Sequence, residues 1–172
     1  MVSLGEGEEM LKEKVTDDYN KVLRVYNYGT KEDAITLNPK MDRTIKKASI
    51  GIQRHSMTFG GKEYIKWVKD SYLMMGIAHF YKQDYTSARR VFDFVAKEFD
   101  NSPLHYEAIM WLAKTYIQQE RFEKAEASLN LLQSKLNDDG FPKSVDGDLP
   151  LVYADFYIAR DDYNSAIPFL ER

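Results

Sequence analysis

The sequence predicts an all-α protein built from repeated helical hairpins, and three observations support this prediction. A short cassette, aromatic-x-x-Ala, occurs three times, each time just after a polar turn, at 84–88 (DYTSA), 121–125 (RFEKA) and 162–166 (DYNSA). A small residue precedes each cassette alanine by twelve positions. No stretch of four or more residues alternates cleanly between polar and apolar, as a half-buried strand would. Self-similarity of this kind is typical of a helical repeat array.

The composition predicts one soluble globular domain and excludes several kinds of chemistry. The chain has 172 residues, of which 44% are hydrophobic and 30% are charged, a balance typical of a packed domain. Its formal net charge is −3, and acidic and basic residues are interleaved, so no basic stripe marks a nucleic-acid surface. The chain has no cysteine, which excludes disulfides, thiolate metal sites and cysteine catalysis.

Both ends of the sequence look like cuts within a longer protein. The first residues, MVSLGEGEEMLKEK, contain no apolar signal core, and the last residues, IPFLER, stop inside an unfinished helical pattern. No apolar run approaches the length of a transmembrane helix. We therefore expect the chain to be a fragment.

Helical spacing and capping residues predict two helices before residue 56. The first would carry Tyr19, Val22, Leu23 and Tyr26 on one face, and Gly29 is placed to end it. The second is expected to begin at the Asn-Pro pair at 38–39, a cap residue followed by a proline. Its apolar stripe consists of Met41, Ile45, Ala48 and Ile52. Residues 56–61, which end in two glycines, are predicted to form a loop.

Six further helices are predicted, paired as hairpins. They lie at about 62–83, 86–99, 103–119, 122–136, 149–159 and 163–172. Ser102 and Pro103 form another cap-plus-proline start. Residues 137–148 include Gly140, Pro142 and Gly147, and we therefore predict the longest loop there.

The hairpins share one register, which resembles the tetratricopeptide repeat (TPR) pattern. The first helix of such a repeat carries a small residue at its closest crossing and a flat residue three positions later. The second helix carries the cassette alanine, a bulky apolar residue four positions on, and a hydrophobe three further on. The small residues are Gly76, Ala113 and Ala154; the flat ones are His79, Tyr116 and Tyr157; the alanines are Ala88, Ala125 and Ala166; the bulky ones are Phe92, Leu129 and Leu170; the closing hydrophobes are Val95 and Leu132.

This register divides the chain into an N-terminal unit and a repeat array. About three repeats are expected in 62–172, at approximately 69–102, 106–139 and 147–172. The small residues are 37 and then 41 positions apart. An ideal repeat has about 34 residues, so the extra ones are expected between repeats, where insertions cost little. Residues 1–61 are predicted to form a divergent helical capping unit. The resemblance implies a right-handed solenoid of helical hairpins, a TPR-like α-α superhelix.

No catalytic or metal-binding constellation stands out. The three imidazoles, His55, His79 and His105, lack the i, i+4 pairing of a helical metal site, and the second of them occupies a packing position of the repeat. Four aspartates cluster in the predicted long loop: Asp138, Asp139, Asp146 and Asp148. Their spacing does not match an EF-hand, and no GxSxG motif occurs. We therefore expect no enzymatic activity and no cofactor.

The TPR resemblance also implies a binding surface, because the first helices of TPR proteins line a concave groove that binds partner peptides or helices. Ten positions are expected to face this groove: Leu73, Ile77, Phe80, Tyr81, Met110, Lys114, Ile117, Leu151, Asp155 and Ile158. They are unusually apolar for solvent-facing positions, and exposed apolar patches often mark interaction sites. The alternative is that neighbouring helices cover them.

Several longer strings resemble one particular group of TPR proteins. They are VYNYG at 25–29, NPKMDRTIKKAS at 38–49, QRHSMTFGGKEYIKWVKDSYLMMGIAHFYKQDYTSARRVFDFV at 53–95 and LPLVYADFYI at 149–158. Together they resemble the TPR lipoproteins of Bacteroidota that are linked to gliding motility and type IX protein secretion. The resemblance implies a lipoprotein on the periplasmic face of the outer membrane, which contacts the membrane only through a lipid anchor absent from this chain. Its partner would be a peptide or helix of another envelope component.

Two other interpretations remain open. Similar repeats occur in outer-membrane lipoproteins that assist the insertion of β-barrels. They also occur in cytoplasmic adaptor or regulatory domains of catalytic partners. In all three cases the expected role is that of a non-catalytic protein–protein interaction scaffold, with no nucleic-acid partner.

Overall fold

The computed structural model describes residues 2–13, 25–60 and 62–171. Within these ranges the chain forms eight helices and one short β-hairpin. The helices are α1 (Val2–Glu13), α2 (Lys31–His55), α3 (Lys66–Tyr81), α4 (Tyr85–Glu98), α5 (Pro103–Gln118), α6 (Phe122–Ser134), α7 (Lys143–Ala159) and α8 (Tyr163–Leu170). The strands are β1 (Thr58–Phe59) and β2 (Lys62–Glu63).

The repeat array consists of the three consecutive hairpins α3–α4, α5–α6 and α7–α8. Each helix packs against the next one along the chain, and α5 also packs against both α3 and α7. The second helices, α4, α6 and α8, do not pack against one another to a comparable extent. The first helices therefore form the inner, concave layer and the second helices the outer layer. This arrangement confirms the predicted all-α, TPR-like solenoid.

The small residues of the register lie at close helix crossings, as predicted. A Cβ atom on Gly76 would lie only 2.5 Å from Cε1 of Phe92, so the α3–α4 crossing requires a glycine there. The equivalent alanines and the cassette alanines are buried, namely Ala113, Ala154, Ala88, Ala125 and Ala166. Leu170 differs from its equivalents Phe92 and Leu129, because it is half exposed at the end of α8.

Helix α2 begins at Lys31, eight residues before the proline that was expected to start it. Thr30 and Asp33 form a capping box: Oγ1 of Thr30 accepts from the Asp33 N–H (3.2 Å), and Oδ2 of Asp33 accepts from the Thr30 N–H (2.9 Å). The predicted start at 38–39 is therefore wrong, and Pro39 lies inside the helix. One continuous buried face offsets the missing backbone hydrogen bond. It consists of Ala34, Leu37, Met41, Thr44, Ala48 and Ile52.

The predicted loop at 56–61 contains part of a hairpin instead. Strands β1 and β2 pair antiparallel, with Thr58 opposite Glu63 and a turn at Gly60, whose φ is 57°. The Glu63 carboxylate stabilises the base of the hairpin, because it accepts hydrogen bonds from the N–H groups of Met57 (3.1 Å) and Ile65 (2.8 Å). The hydroxyl of Ser56 also donates to it. Two residues per strand are too few to produce a visible alternation in the sequence.

The C-terminal helices begin earlier or end sooner than the sequence suggests. Helix α5 starts as predicted, with Ser102 as its N-cap and a proline in the first turn. Helix α7, however, starts at Lys143, so the predicted loop at 137–148 is shorter, and Gly147 and Pro150 are helical. Val145 and Leu149 in its first turns are buried in the core shared by α5, α6 and α7. Their burial offsets the poor helix propensity of the glycine and the proline.

The helix predicted to end at Gly29 does not include Tyr26. Residues 25–30 are non-helical, and Gly29 has a φ of 79° just before α2. Tyr19, Val22 and Leu23 lie outside the described residues. Helix α1, before this segment, packs its apolar side against α2 through Leu4 and Leu11. That residues 1–61 form a separate capping unit stays a prediction. None of the described helices is both long and apolar enough to cross a membrane.

Candidate functional site

The concave layer places the ten predicted groove residues along one surface, but most of them are covered. Six are buried: Leu73, Phe80, Met110, Lys114, Ile117 and Asp155. Ile77, Tyr81 and Ile158 are half-buried, and Leu151 is exposed. The expectation that these positions face solvent is therefore wrong for the six buried ones. Their role in partner binding stays a prediction, because burial by the chain itself does not test it.

The cover over the first two repeats comes from residues 25–30, which we call the groove segment. Its central residue, Tyr28, is 5% exposed and belongs to the same buried cluster as Leu73 and Phe80 of α3. The Tyr28 ring meets the Phe80 ring edge to face, with centroids 4.9 Å apart and an interplanar angle of 81°. Burial, reinforced by the carboxylate of Asp155, raises the pKa of the Tyr28 hydroxyl well above its usual value.

The second aromatic residue of the groove segment, Tyr26, forms a sandwich with a buried lysine. Nζ of Lys114 lies 4.1 Å from the centroid of the Tyr26 ring and 4.8 Å from that of Trp111. The same nitrogen is 3.8 Å from a carboxylate oxygen of Asp148. Burial lowers the pKa of Lys114, whereas Asp148 and Asp155 oppose that shift. The groove thus has a cationic, aromatic subsite in its second repeat.

The backbone of the groove segment is also fixed. The side-chain amide of Gln83 donates hydrogen bonds to the carbonyl oxygens of Gly29 (3.3 Å) and Thr30 (3.0 Å). Asn27 donates from Nδ2 to the Leu11 carbonyl (2.7 Å), and its Oδ1 accepts from the Gly29 N–H (3.1 Å). A Cβ on Gly29 would lie 2.7 Å from Cδ2 of Leu11, and its φ of 79° also favours glycine.

Helix α1 covers the remaining part of the first repeat. Ile77 and Tyr81 of α3 pack against the cluster that contains Leu4 and Leu11 of α1. Burial raises the pKa of the Tyr81 hydroxyl, and the neighbouring carboxylate of Glu8 raises it further. Sequence reasoning missed both covering elements. The VYNYG string contributes to the resemblance above, but nothing in its spacing points to the groove.

The concave surface stays open between the second and third repeats. A recess of about 290 Å³ lies there, at the ends of α5 and α7. Its lining combines apolar side chains with three carboxylates. The lining residues are Ile117, Gln118, Glu120, Asp155, Ile158, Ala159, Asp161 and Tyr163. A second opening, lined by Asn27, Tyr28 and Gln118, runs along the exposed edge of the groove segment. Because Gln118 lines both openings, they are neighbouring parts of one surface.

The same turn position has a different side chain in each repeat. Gln83, Glu120 and Asp161 each follow the first helix of their repeat and adopt a positive φ of 58°, 56° and 59°. In the first repeat the amide of Gln83 donates to backbone carbonyls of the groove segment. The carboxylates of Glu120 and Asp161 can only accept hydrogen bonds when ionised, and both line the open recess. The turn side chain in the first repeat therefore donates hydrogen bonds to backbone carbonyls, whereas those in the second and third repeats are acidic.

The three histidines make local contacts, and the four clustered aspartates lie in different elements. Nδ1 of His79 lies 3.4 Å from Oδ2 of Asp84 in the turn between α3 and α4. Nδ1 of His105 is 2.7 Å from the carbonyl oxygen of Ala96, and the His55 ring packs edge to face on Trp67. Asp146 and Asp148 lie in α7, apart from Asp138 and Asp139. Within residues 2–13, 25–60 and 62–171, no three His, Asp or Glu side chains are grouped so that they could hold a metal ion.

A second exposed apolar surface lies on the β-hairpin. Phe59 is 78% exposed, Tyr64 is 67% exposed, and their rings meet edge to face with centroids 6.4 Å apart. Met57 beside them is 64% exposed. This surface lies outside the repeat pattern of the sequence, and sequence reasoning missed it because the hairpin was predicted as a loop. It offers a comparison surface for any test of partner binding.

Comparison with known proteins agrees with the helical architecture. The tetratricopeptide repeat family matches residues 73–140, from the middle of α3 to the turn after α6. No curated protein matches the sequence. The match covers the second hairpin and the first from the middle of α3 onward, and the third hairpin, α7–α8, continues their packing pattern. The molecule is thus an all-α solenoid whose central hairpins match tetratricopeptide repeats.

Proposed function

We propose that this protein is a non-catalytic scaffold that binds a protein partner along its concave surface. Tetratricopeptide repeats generally act in protein–protein interactions, and residues 73–140 match that family. The observation that carries the proposal is the open recess between the second and third repeats, which continues from the covered part of the groove. This recess is mostly polar, with three carboxylates beside a few apolar side chains, and therefore suits a basic side chain with an apolar stem.

The lining of the recess favours a partner segment with both apolar and basic side chains. Ile117 and Ile158 supply the apolar surface, while Glu120 and Asp161 add exposed carboxylates at its edge. Opposite charges across an interface speed up association and exclude partners of the wrong charge. We therefore expect binding that weakens as the salt concentration rises.

Site-specific crosslinking tests this proposal. A photo-crosslinking amino acid at Ile158 should capture the partner, because this half-buried side chain lines the recess. The same group at the exposed position Glu126 of α6, outside the groove, should capture nothing in particular. Crosslinking from Phe59 of the hairpin but not from Ile158 would place the partner on the wrong surface and refute the proposal.

We also propose that the scaffold belongs to an envelope assembly, as a lipoprotein on the periplasmic side of the outer membrane. The resemblance of four sequence strings to gliding-motility and type IX secretion lipoproteins supports this context. Metabolic labelling of the full-length protein with palmitate, followed by membrane fractionation, tests it. Labelled protein in the outer membrane is the expected result. An unlabelled protein in the cytoplasmic fraction would favour the adaptor alternative, and a defect in β-barrel insertion on depletion would favour the assembly alternative.

A further inference from the structure

We propose that the groove segment is a built-in ligand, and that the groove binds in trans a partner peptide carrying the same Tyr-x-Tyr-Gly pattern. This inference rests on the proposed function and names the class of partner. In the structure, the two tyrosines and the glycine of this pattern each occupy a separate subsite of the groove. The groove segment is non-helical and lies on the concave layer of the helical repeats, in the position of a bound peptide. It is not one of the elements from which the repeats themselves are packed.

Two subsites select the aromatic residues. The first is the face of Phe80, which receives Tyr28 edge to face at 4.9 Å. The second is the ammonium group of Lys114 held between Trp111 and the incoming Tyr26 ring. The two tyrosine rings also stack on each other, with centroids 5.5 Å apart and an interplanar angle of 15°. A tyrosine at each of two positions separated by one residue satisfies both subsites at once.

Two further features select the backbone and the glycine. The Gln83 amide binds the carbonyl groups that follow the second tyrosine, so it recognises a peptide backbone whatever the side chain. The position after that tyrosine has a φ of 79° and leaves no room for a Cβ beside Leu11. The site therefore specifies Tyr-x-Tyr-Gly by two aromatic contacts, a backbone contact and a steric limit.

The groove segment does not make every hydrogen bond that its buried side chains could make in the groove. Neither the Tyr26 hydroxyl nor the Tyr28 hydroxyl has a hydrogen-bond partner among the described residues, although both oxygen atoms are buried. Leaving a buried polar group unpaired is unfavourable, because the group loses its hydrogen bonds to water without replacing them. The segment is thus a sub-optimal ligand, and a competitor that pairs these groups or adds contacts can displace it.

The occupant in trans is a partner protein and not a second copy of this chain. A second copy offers the same segment with no added contact, and the attached segment competes at an effective concentration of about 1 mM or more. A partner peptide that continues past Gln118 reaches the acidic recess lined by Glu120 and Asp161. Neither Tyr26 nor Tyr28 lines that recess, so the added contacts belong to the partner alone.

Peptide binding to a vacated groove tests the proposal. The probe is a fluorescein-labelled hexapeptide with the sequence of residues 25–30 (VYNYGT), and the receptor is the whole chain carrying Tyr26→Ala and Tyr28→Ala. We expect saturable binding by fluorescence anisotropy, and binding at least tenfold weaker to the wild-type chain, whose groove is occupied. The control peptide VANAGT should bind neither protein. Circular dichroism checks that the double variant is folded.

A second measurement covers the case in which the double variant does not fold. The chain has two tryptophans, so Trp67→Phe leaves Trp111, at the Lys114 subsite, as the reporter. Adding excess hexapeptide to this variant should shift the Trp111 emission, and VANAGT should not. Adding Tyr26→Ala to Trp67→Phe vacates only the Lys114 subsite. The Trp111 emission of this protein should shift at a lower peptide concentration than that of Trp67→Phe alone.

Two results would overturn the proposal. The first is a folded double variant that shows no saturable binding together with a Trp111 signal that does not respond. The second is equal affinity of the hexapeptide for the wild-type and vacated chains, which would place the peptide elsewhere. A third result would overturn the choice of partner: the wild-type chain forms concentration-dependent dimers, and the hexapeptide dissociates them. The occupant in trans would then be a second copy of this chain. None of these readouts depends on the crosslinking at Ile158, so failure of the proposed function is recognised separately.

Discussion

The second helix of each repeat begins just after the same polar turn, but the cap residue differs among the three. Asp84 and Asp162 accept hydrogen bonds from the N–H groups of Ser87 (3.1 Å) and Ser165 (3.2 Å). Arg121, at the equivalent position before α6, makes no side-chain cap bond. An arginine also places a positive charge at the helix end that already carries a partial positive charge.

The substitution Arg121→Asp should therefore stabilise the protein by about 1 kcal/mol, the usual gain from an N-cap bond. Urea denaturation followed by circular dichroism measures the change as a higher midpoint with an unchanged slope. The matched control is Asp84→Ala, which should lower the free energy of unfolding by about the same amount. A lower midpoint for Arg121→Asp would show that the arginine has a stabilising contact elsewhere.

His79 stands where the other two repeats carry Tyr116 and Tyr157. Burial lowers the pKa of His79, although the carboxylate of Asp84 opposes the shift. The imidazole thus binds its proton at higher pH in the unfolded chain than in the folded one. Its stabilising contribution is complete above the unfolded pKa of about 6.5 and is lost as the pH falls from there through the lower pKa of the folded state.

We expect His79→Tyr to keep the fold and to weaken the loss of stability between about pH 7 and about pH 5.5, the range in which histidine titrates. Urea midpoints of the wild type and the variant, measured across this range, provide the comparison. Gln133→Tyr, at an exposed position of α6 that carries no titratable group, serves as the control and should retain the wild-type slope. Parallel pH profiles for the wild type and His79→Tyr would contradict the interpretation.

At the scale of single elements, α2 carries a proline on its solvent side. Pro39 is exposed and lies in the interior of the helix, where it cannot donate a backbone hydrogen bond. Replacing it by alanine should raise the free energy of unfolding by about 2 kcal/mol, because a helix-interior proline costs about 3 kcal/mol and its stiffening of the unfolded chain offsets part of that. Thermal unfolding measures the gain. Pro103→Ala, at the first turn of α5, should have little effect, and a gain there as large as at Pro39 would argue against this explanation.

The close crossing of α5 with α6 limits which side chain can occupy position 125. Ala125 is completely buried at that crossing. Ala125→Asp would bury a carboxylate without a partner and should cost several kcal/mol, roughly 3–5 kcal/mol. The neighbouring exposed substitution Glu126→Asp should cost less than about 0.5 kcal/mol. A small loss for Ala125→Asp in calorimetry would mean that the repeat register is wrong.

The elements that the sequence predicts well are those in which a local signal and tertiary packing agree. The start of α5 at Ser102 and Pro103 and the spacing from Gly76 to Ala88 are examples. The prediction of the start of α2 is wrong because the Asn-Pro pair at 38–39 suggests a helix start, and that of α7 because Gly140, Pro142 and Gly147 suggest a loop. Burial of Leu37 and Val145 stabilises helix before both predicted starts.

The candidate groove was predictable only in part. The helical register predicts that Phe80 and Lys114 lie on the concave side, and in the structure Phe80 contacts Tyr28 and Lys114 contacts Tyr26. The register cannot show that Tyr28 covers Phe80 and that Tyr26 covers Lys114, because these contacts link residues more than fifty positions apart outside the repeat pattern. Long-range contacts of one irregular segment leave no periodic signal in the sequence.

At the scale of the whole molecule, the groove segment links parts of the solenoid that otherwise contact only their neighbours. A repeat array is held together by nearest-neighbour interfaces and can unfold from one end. Here Tyr28 packs on α3 in the first repeat, and Tyr26 packs on Lys114 in the second. The first two repeats should therefore unfold as one unit.

The variant Tyr28→Ala tests this coupling. Removing a buried aromatic side chain should lower the free energy of unfolding by about 3–5 kcal/mol. It should also separate the transitions followed by helicity and by Trp111 fluorescence, which we expect to coincide in the wild type. The variant Tyr163→Ala, at the largely exposed start of α8, should leave the two transitions together. Coincident transitions in Tyr28→Ala would show that the segment does not couple the repeats.

The position of the groove segment in the chain also sets an order of events during synthesis. Tyr28 leaves the ribosome 89 residues before Ile117, near the end of the helix that completes the second-repeat side of the groove. At about 5–20 residues per second, this interval lasts roughly 4–18 s. Tyr28 lacks Phe80 during the first part of that time, and Tyr26 lacks Lys114 during nearly all of it. Each new molecule therefore passes through a stage in which a finished groove is filled for the first time, and the partner that we propose would compete best before the segment has docked.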